Sequence, residues 1–399
     1  MEFAKPILLF SEMFPKPKSS SSGVFIVERL KALTELGVPF DFAPVSTFDN
    51  FPIRLVKKLK GYSPSEPIKS VQVNQKKFPV LNVSLGLRDR IGLIREEANS
   101  WVKYAQGMAI AIERNKKIEE FHLLHAHRVF PEGYAAMLLS EKHNIPYIVT
   151  AHGGEIHSIS NNNKAFVKEV LEKAAKAIFV SKALMKDACE KLGYDKSNGI
   201  VIPNGVDTNV FKLMDKEGAR KKLSLPLNKK IVGFVGNLIE VKGADRLPAI
   251  AEELVKLRSD VFFLIVGDGP LMKALRDRMP IENTRFIGRI RHDLMPLALN
   301  TMDVMVVASR NEGFPATILE ARACGVWVIG TEAGGISEAI DSDGIGGIAG
   351  ENIEKSLSEA INSSLHRGLH LASSRERVQI ASWKDTVEAE VKVYRECLE

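Results

Sequence analysis

Short runs rich in apolar and β-branched residues recur along the 399-residue chain, each followed by turn residues and then by apolar positions at helical spacing. Pro6–Phe10, Tyr147–Thr150, Ala177–Val180, Ile231–Val235, Phe262–Val266, Val304–Val307 and Val326–Ile329 are the clearest. Strand, turn and crossover helix in repetition predict a doubly wound α/β fold with parallel sheets. The runs fall into two groups. Val201–Asp207 sets turn residues after an apolar pair, a charged helical segment covers Asp215–Leu223, and Pro226 leads into the next strand series. We therefore place a domain boundary here, with domains over 1–205 and 206–382. The run Ser19–Gly23 reads as a loop before a helix that starts near Phe25, and Trp383, Val387, Val391 and Tyr394 predict a last helix over Trp383–Leu398.

Composition adds little to this outline until charge is counted. The chain is 45% hydrophobic and 26% charged, ordinary for globular domains, but its formal charge of +6 suits phosphates, acidic lipid or nucleic acid as partners without choosing among them. Cys189, Cys324 and Cys397 lie far apart with no CxxC spacing, so neither a disulfide framework nor a thiolate zinc site is expected, and a reducing cytoplasm fits. The apolar run Ile7–Phe10 is too short for a signal sequence, and no segment approaches the length of a membrane span. A soluble, cytoplasmic protein is expected, at most peripheral to a membrane.

The segment Ser309–Gly325 carries the most chemistry. It follows the strand Val304–Val307, which puts Glu312 in the loop at the strand's C-terminal edge and Glu320 about two turns into the next helix. Ligands of open α/β sheets collect at that edge. A carboxylate accepts two hydrogen bonds from vicinal hydroxyls, so the pair suits two polyol groups of one ligand. The sequence Glu312-Gly313-Phe314, an apolar stretch, and Glu320-Ala321-Arg322-Ala323-Cys324-Gly325, continued by Val328–Glu338, resembles the signature of retaining glycosyltransferase family four. That resemblance implies a GT-B fold: two Rossmann-like doubly wound domains facing a central cleft, with the helix over 383–399 crossing back to the N-terminal domain.

By the same resemblance, Glu312 bonds the hydroxyls of a donor sugar, helped by amides near Gly313 and Phe314, and Glu320 holds a ribose. Gly233–Gly243 is similar to the family loop in which an arginine and a lysine bind the donor diphosphate; Lys242 stands at the lysine position and Asn237 at the arginine position, with Arg310 and Arg246 as candidates to supply the missing cation. The turn at Gly267 and Asp268, and Asn283–Gly288 with Arg285 and Ile287 ahead of another loop, resemble segments lining the nucleotide pocket. In the N-terminal domain, His125–Tyr134 resembles a family strand end, placing His127 on the acceptor side, and Thr150–Glu155 resembles a Thr-x-His-Gly-x-Asp loop. His152 would then face the donor sugar, with Glu155 on the acceptor side in place of the usual aspartate. Gly23, at a helix start, is placed to receive phosphate charge. Ser22–Phe25 is nearer the polysaccharide and teichuronic-acid-type members.

The activity so implied is retaining, metal-independent transfer from a UDP- or GDP-sugar to a glycan, lipid-linked or small-molecule acceptor, with the nucleotide sugar as co-substrate and no cofactor. His125 and His127 share one strand face, but no carboxylate or cysteine completes a metal spacing, and Asp341–Asp343 reads as a turn. A nucleotide-sugar epimerase or hydrolase of similar fold, and an inactive nucleotide-sugar-binding protein with Asn237 as its mark, remain alternatives. Nucleic acid is not an expected partner, and nothing fixes the oligomeric state. Between Phe51 and Arg90 the basic residues Arg54, Lys57, Lys58, Lys60, Lys69, Lys76, Lys77, Arg88 and Arg90 meet only Glu66 and Asp89. On a helix, Phe51, Leu55, Val56 and Leu59 share a side opposite Arg54, Lys57, Lys58 and Lys60. Two readings stay open: an interfacial helix on an anionic membrane, or a solvated helix packed on the sheet.

Overall fold

The structure, a computed structural model, describes residues 3–16, 23–49, 53–55, 65–340, 344–367 and 380–399. Ser19–Ser22, Val56–Lys60 and Asp341–Asp343 lie outside the described residues. The chain divides into two compact units, Met1–Pro203 together with Trp383–Glu399, and Asn204–Ser382.

The first unit is built on β1 (Ile7–Ser11), β2 (Phe40–Asp49), β5 (Leu81–Leu85), β6 (Leu123–His127), β7 (Tyr147–Ala151), β8 (Lys176–Phe179) and β9 (Gly199–Val201), with a hairpin of β3 (Ser70–Val73) and β4 (Lys76–Pro79) outside the sheet. The order is β5-β2-β1-β6-β7-β8-β9, and every pairing in it is parallel. β1, β6 and β7 are buried at every residue, which is why they read as apolar runs without alternation. Chain order reverses about β1, which pairs with β2 on one side and β6 on the other. The helix Trp383–Glu396 enters the core of this unit with Trp383, Val387, Val391 and Tyr394, beside Ile26, Leu30 and Leu33 of the helix Val24–Glu35. A fully buried ion pair, Arg29 Nε to Glu390 Oε1 at 2.6 Å, joins those helices.

The second unit holds β10 (Lys230–Val235), β11 (Val261–Val266), β12 (Thr284–Gly288), β13 (Val304–Val307), β14 (Trp327–Thr331) and β15 (Gly344–Ile348), all parallel, in the order β12-β11-β10-β13-β14-β15. Its reversal lies between β10 and β13. Asp303, just before β13, accepts from the Ile231 amide at 2.7 Å and from Arg220 at 2.7 Å, pinning the helix Lys216–Lys222 to the sheet's entry edge. Among the described residues no helix is long and apolar enough to cross a membrane.

Candidate functional site

In an open parallel sheet the strand ends separate where the order reverses, and the two loops leaving that point frame a crevice. In the second unit those loops follow β10 and β13, and they carry Lys242 and Glu312. Lys242 Nζ donates to both carboxylate oxygens of Glu312, at 2.6 and 2.7 Å, and Ser309 Oγ donates to Oε1 at 2.8 Å. The loops are brought this close by their backbones. The Arg310 amide donates to Val241 O at 2.8 Å, and Gly243, at φ +67°, lies so near β13's exit that a Cβ there would sit 1.9 Å from the Ala308 carbonyl oxygen. Gly334 does the same from the loop after β14: a Cβ would fall 2.0 Å from Glu312 O, and the next amide, of Gly335, donates to that oxygen at 3.0 Å. Glu312 is thus fixed at both backbone and side chain.

The two arginines considered for diphosphate charge have protein partners. Arg310 forms a two-pronged pair with Asp245 at 2.7 Å on each arm, and Arg246 donates to Ala308 O at 2.8 Å and lies 3.3 Å from Glu354. Asn237 is exposed in the loop after β10. The turn after β11 is tied to that loop by Leu238 N donating to Asp268 O at 3.0 Å; the Asp268 carboxylate accepts from the Gly269 amide at 2.8 Å, and Gly267 N donates to Gly288 O at 2.8 Å.

Glu320 is the fifth residue of the helix Ala316–Ala323, little more than one turn in where two were expected, because the helix begins only after Pro315. Its carboxylate meets His292 Nε2 at 3.1 Å, and the His292 ring stands edge-on to Phe211 at 5.2 Å. His292 was not singled out in the sequence; a lone histidine 28 residues from its partner gives no spacing signal. Gly313 is buried, and Phe314 packs on the unit's core, its carbonyl accepting from Asn204 Nδ2 at 3.4 Å. Arg285 and Ile287 lie within a strand, β12. Ile287 packs on the core, and Arg285 donates to Ser224 O at 2.9 Å, ahead of β10, so the structure does not bring it to Lys242 and Glu312.

The first unit has its own arrangement at the β1/β6 reversal. Gly23, with left-handed backbone, is the cap of the helix Val24–Glu35 that follows the loop after β1. His127 ends β6 and His152 follows β7, and a column of side chains runs through them. Tyr394 Oη meets His125 Nδ1 at 2.8 Å, Thr150 Oγ1 meets His125 Nε2 at 2.8 Å, and His127 Nδ1 meets His152 Nε2 at 3.3 Å. The His125 and His127 rings are 4.2 Å apart, and Phe25 covers the His152 ring at 4.7 Å. Burial, with the nearby Arg29 charge adding, pushes the pKa of all three histidines well below the ordinary value, so the column is neutral at pH 7. A neutral His152 offers a hydrogen bond, not a cation. Among the described residues no group of three His, Cys, Asp or Glu is arranged to hold a metal ion.

Glu155 turns back on its own loop: its carboxylate accepts from the amides of His152 at 2.7 Å and Gly153 at 3.1 Å, fixing the turn that carries His152. The sequence reading passed over a further cluster at the same strand ends. Arg128, at φ +101°, donates to Glu132 at 2.8 Å and Glu12 at 3.1 Å, and Glu132 accepts from the Glu12 amide at 3.1 Å. A non-glycine residue in that conformation costs about 1–3 kcal/mol and persists where its surroundings fix it, as three bonds do here.

Two doubly wound parallel sheets, each with polar loops at its reversal, are the arrangement that the GT-B fold requires. The "Glycosyl transferases group 1" family model matches residues 215–382, and the "Glycosyltransferase Family 4" model matches residues 89–210. TuaC of Bacillus subtilis, a glycosyltransferase assigned to teichuronic acid biosynthesis, is 30% identical over 339 residues, 83% of this chain and 82% of its own. D-inositol 3-phosphate glycosyltransferase of Corynebacterium jeikeium is 26% identical over 79% of this chain and 84% of its own. Among solved structures, a sucrose-phosphate synthase from Thermosynechococcus elongatus matches with a TM-score of 0.76 at 18% identity, covering 98% of each chain. Anabaena HepE, in complex with UDP and glucose, matches with a TM-score of 0.69 at 18% identity over 98% of this chain and 100% of that one. The chain belongs to glycosyltransferase family four.

Proposed function

We propose that the protein transfers a sugar, with retention, from a nucleoside diphosphate sugar held by the second unit to a carbohydrate or lipid-linked acceptor on the side of the first. One observation carries this reading: Lys242 and Glu312 meet at the reversal of the second sheet, a cation and a carboxylate from separate loops, each answering one half of a sugar diphosphate. Lys242 and Glu312 satisfy each other's charge. When donor enters, Lys242 turns to the diphosphate, and Glu312, still braced by Ser309, takes the sugar's hydroxyls. Glu320 accepts from the ribose, displacing or sharing His292. Gly267 and Asp268 border the base, and the Gly313 and Phe314 amides lie beside the sugar.

As the glycosidic bond loosens, negative charge grows on the diphosphate and positive charge on the sugar. Fixed charges and dipoles already in place lower that barrier most. Lys242 and helix-end amides, including that at Gly23, supply the positive side without a metal ion. The acceptor attacks from the face the diphosphate leaves, and the departing phosphate takes its proton. His152, neutral and held by His127 and the Glu155-braced turn, donates to a hydroxyl of the transferring sugar. The likeness to TuaC favours a polysaccharide acceptor, and the HepE likeness favours a UDP-sugar.

A ligand that binds only the folded chain raises its melting temperature. Screening UDP- and GDP-sugars should give one clear rise, and product should then form only when acceptor is added, with activity persisting in EDTA. Donor breakdown at the same rate without acceptor would instead favour an epimerase or hydrolase, and loss in EDTA restored by a divalent ion would remove the metal-free mechanism.

A further inference from the structure

His125 and His127 stand two residues apart on β6, so both rings project from one face of the strand, and both are fully buried. Neither they nor His152 hydrogen-bond a carboxylate among the described residues, so nothing offsets the cost of burying a charge on them. A neutral imidazole carries one N–H and one lone pair, on different nitrogens. What one nitrogen does therefore decides what the other can do.

His125 is satisfied in either tautomer. Its nitrogens meet the hydroxyls of Tyr394 and Thr150, and a hydroxyl donates or accepts as required. His127 has no such freedom. Its Nδ1 meets His152 Nε2 at 3.3 Å, while its Nε2 is closed off from solvent and meets no partner among the described residues. A proton on His127 Nε2 would bury an N–H with nothing to receive it, a rare arrangement in folded chains. A proton on Nδ1 leaves only a lone pair unmatched, and the Arg29 charge that acts on this ring favours a lone pair over an N–H there. His127 then donates to His152 Nε2, which forces the proton of His152 onto Nδ1. That nitrogen makes no bond to the described residues and is not among the atoms closed off from solvent. The geometry is held from both sides. Ser11 Oγ donates to His127 O at 3.4 Å, Phe25 covers the His152 ring, and the Glu155 carboxylate holds the His152 amide.

We infer that His127 is a positioning residue that fixes His152 as its Nδ1–H tautomer, so that His152 offers a ligand hydroxyl a donor and never an acceptor. The tautomer is a property of the folded chain; its consequence for turnover rests on the reading that His152 meets the transferring sugar. The test is a two-bond nitrogen–proton correlation spectrum of the full chain with isotope-labelled histidine, near neutral pH. Loss of signals in His127→Asn and His152→Asn assigns the two rings. Wild type should carry the proton on Nδ1 in both, and His127→Leu, which removes the donor, should lose the single tautomer at His152. In the transfer assay His127→Leu should lower kcat about 10–100-fold with donor KM within about threefold, the mark of a contact realised in the transition state. His127→Asn, whose side-chain amide places an N–H where Nδ1–H stood, should recover to within about fivefold of wild type. A wild-type His127 or His152 protonated at Nε2, or at both nitrogens, overturns the inference whatever the chain catalyses. The assigned tautomers with His127→Asn as slow as His127→Leu overturn the positioning role. Absence of transfer by wild type with every donor strikes the transferase reading and with it the role in turnover, while the spectrum still decides the tautomer.

Discussion

At the reversal of the first sheet the crevice is filled: His125, His127 and His152 stack beneath Phe25, and Arg128 is locked between Glu12 and Glu132. At the reversal of the second, Lys242 and Glu312 meet across the loops beside the outer Arg310–Asp245 pair, and the lysine side chain is 32% exposed. The first arrangement shares its charges and rings among many partners, so removing one disturbs the fold. The second leaves two charged groups that a ligand can take over at small cost to the unit. One unit is built to hold a shape, the other to exchange a contact.

The largest expected effect tests the first half of that contrast. Glu390→Ala leaves the buried Arg29 charge without its carboxylate and should destabilise the first unit by about 3–5 kcal/mol, read by hydrogen exchange in the helix Trp383–Glu396. Nucleotide affinity, a property of the second unit, should stay within about twofold, because distant sites with no shared partners behave independently. A parallel loss of affinity would mean the units are not independent.

Next in size, Lys242→Ala should lower kcat/KM by about 10²–10³, the scale of removing one preorganised charge partner of a transition state, with little change in melting temperature. A large fall in melting temperature instead would make the lysine structural and erase the difference between the units. Glu320→Ala comes third: losing a charge-assisted hydrogen bond to ribose costs about 1.5–3 kcal/mol, roughly 10–100-fold in nucleotide Kd by calorimetry. His292→Ala separates the partners, since it frees Glu320 and should not weaken nucleotide binding.

A different kind of measurement sharpens the contrast through pH. The three stacked histidines have folded pKa values well below the unfolded value of about 6.5. The unfolded chain therefore binds protons first as pH falls, and stability present in full above about pH 7 is lost below about 6.5. Each histidine contributes up to about 1.4 kcal/mol per pH unit. Amides of the first unit should lose protection between pH 7 and 5.5 while those of the second hold. Equal loss in both would break the comparison.

Much of this was legible in residue order. Strands such as β11 and β13 announce themselves as apolar runs, and Glu312 could be placed because a loop after a parallel strand has only one edge to occupy. Pairings decided by topology were not. Glu12 and Arg128 lie 116 residues apart and meet only because β1 and β6 are neighbours, and Glu320 meets His292 through the turn after β12. Nor does residue order report that Arg285 bonds Ser224 O, a contact set by the folding of β12 beside the segment ahead of β10.

The helix Trp383–Glu396 belongs to the first unit although the whole of the second precedes it in the chain. During synthesis the stretch 204–382 is therefore a finished length that can fold as it leaves the ribosome, while the earlier stretch still lacks a wall of its core. Until that helix emerges, Arg29 has no Glu390 and His125 no Tyr394. The half begun first is completed only after the other, because its assembly waits until the helix Trp383–Glu396 has been made.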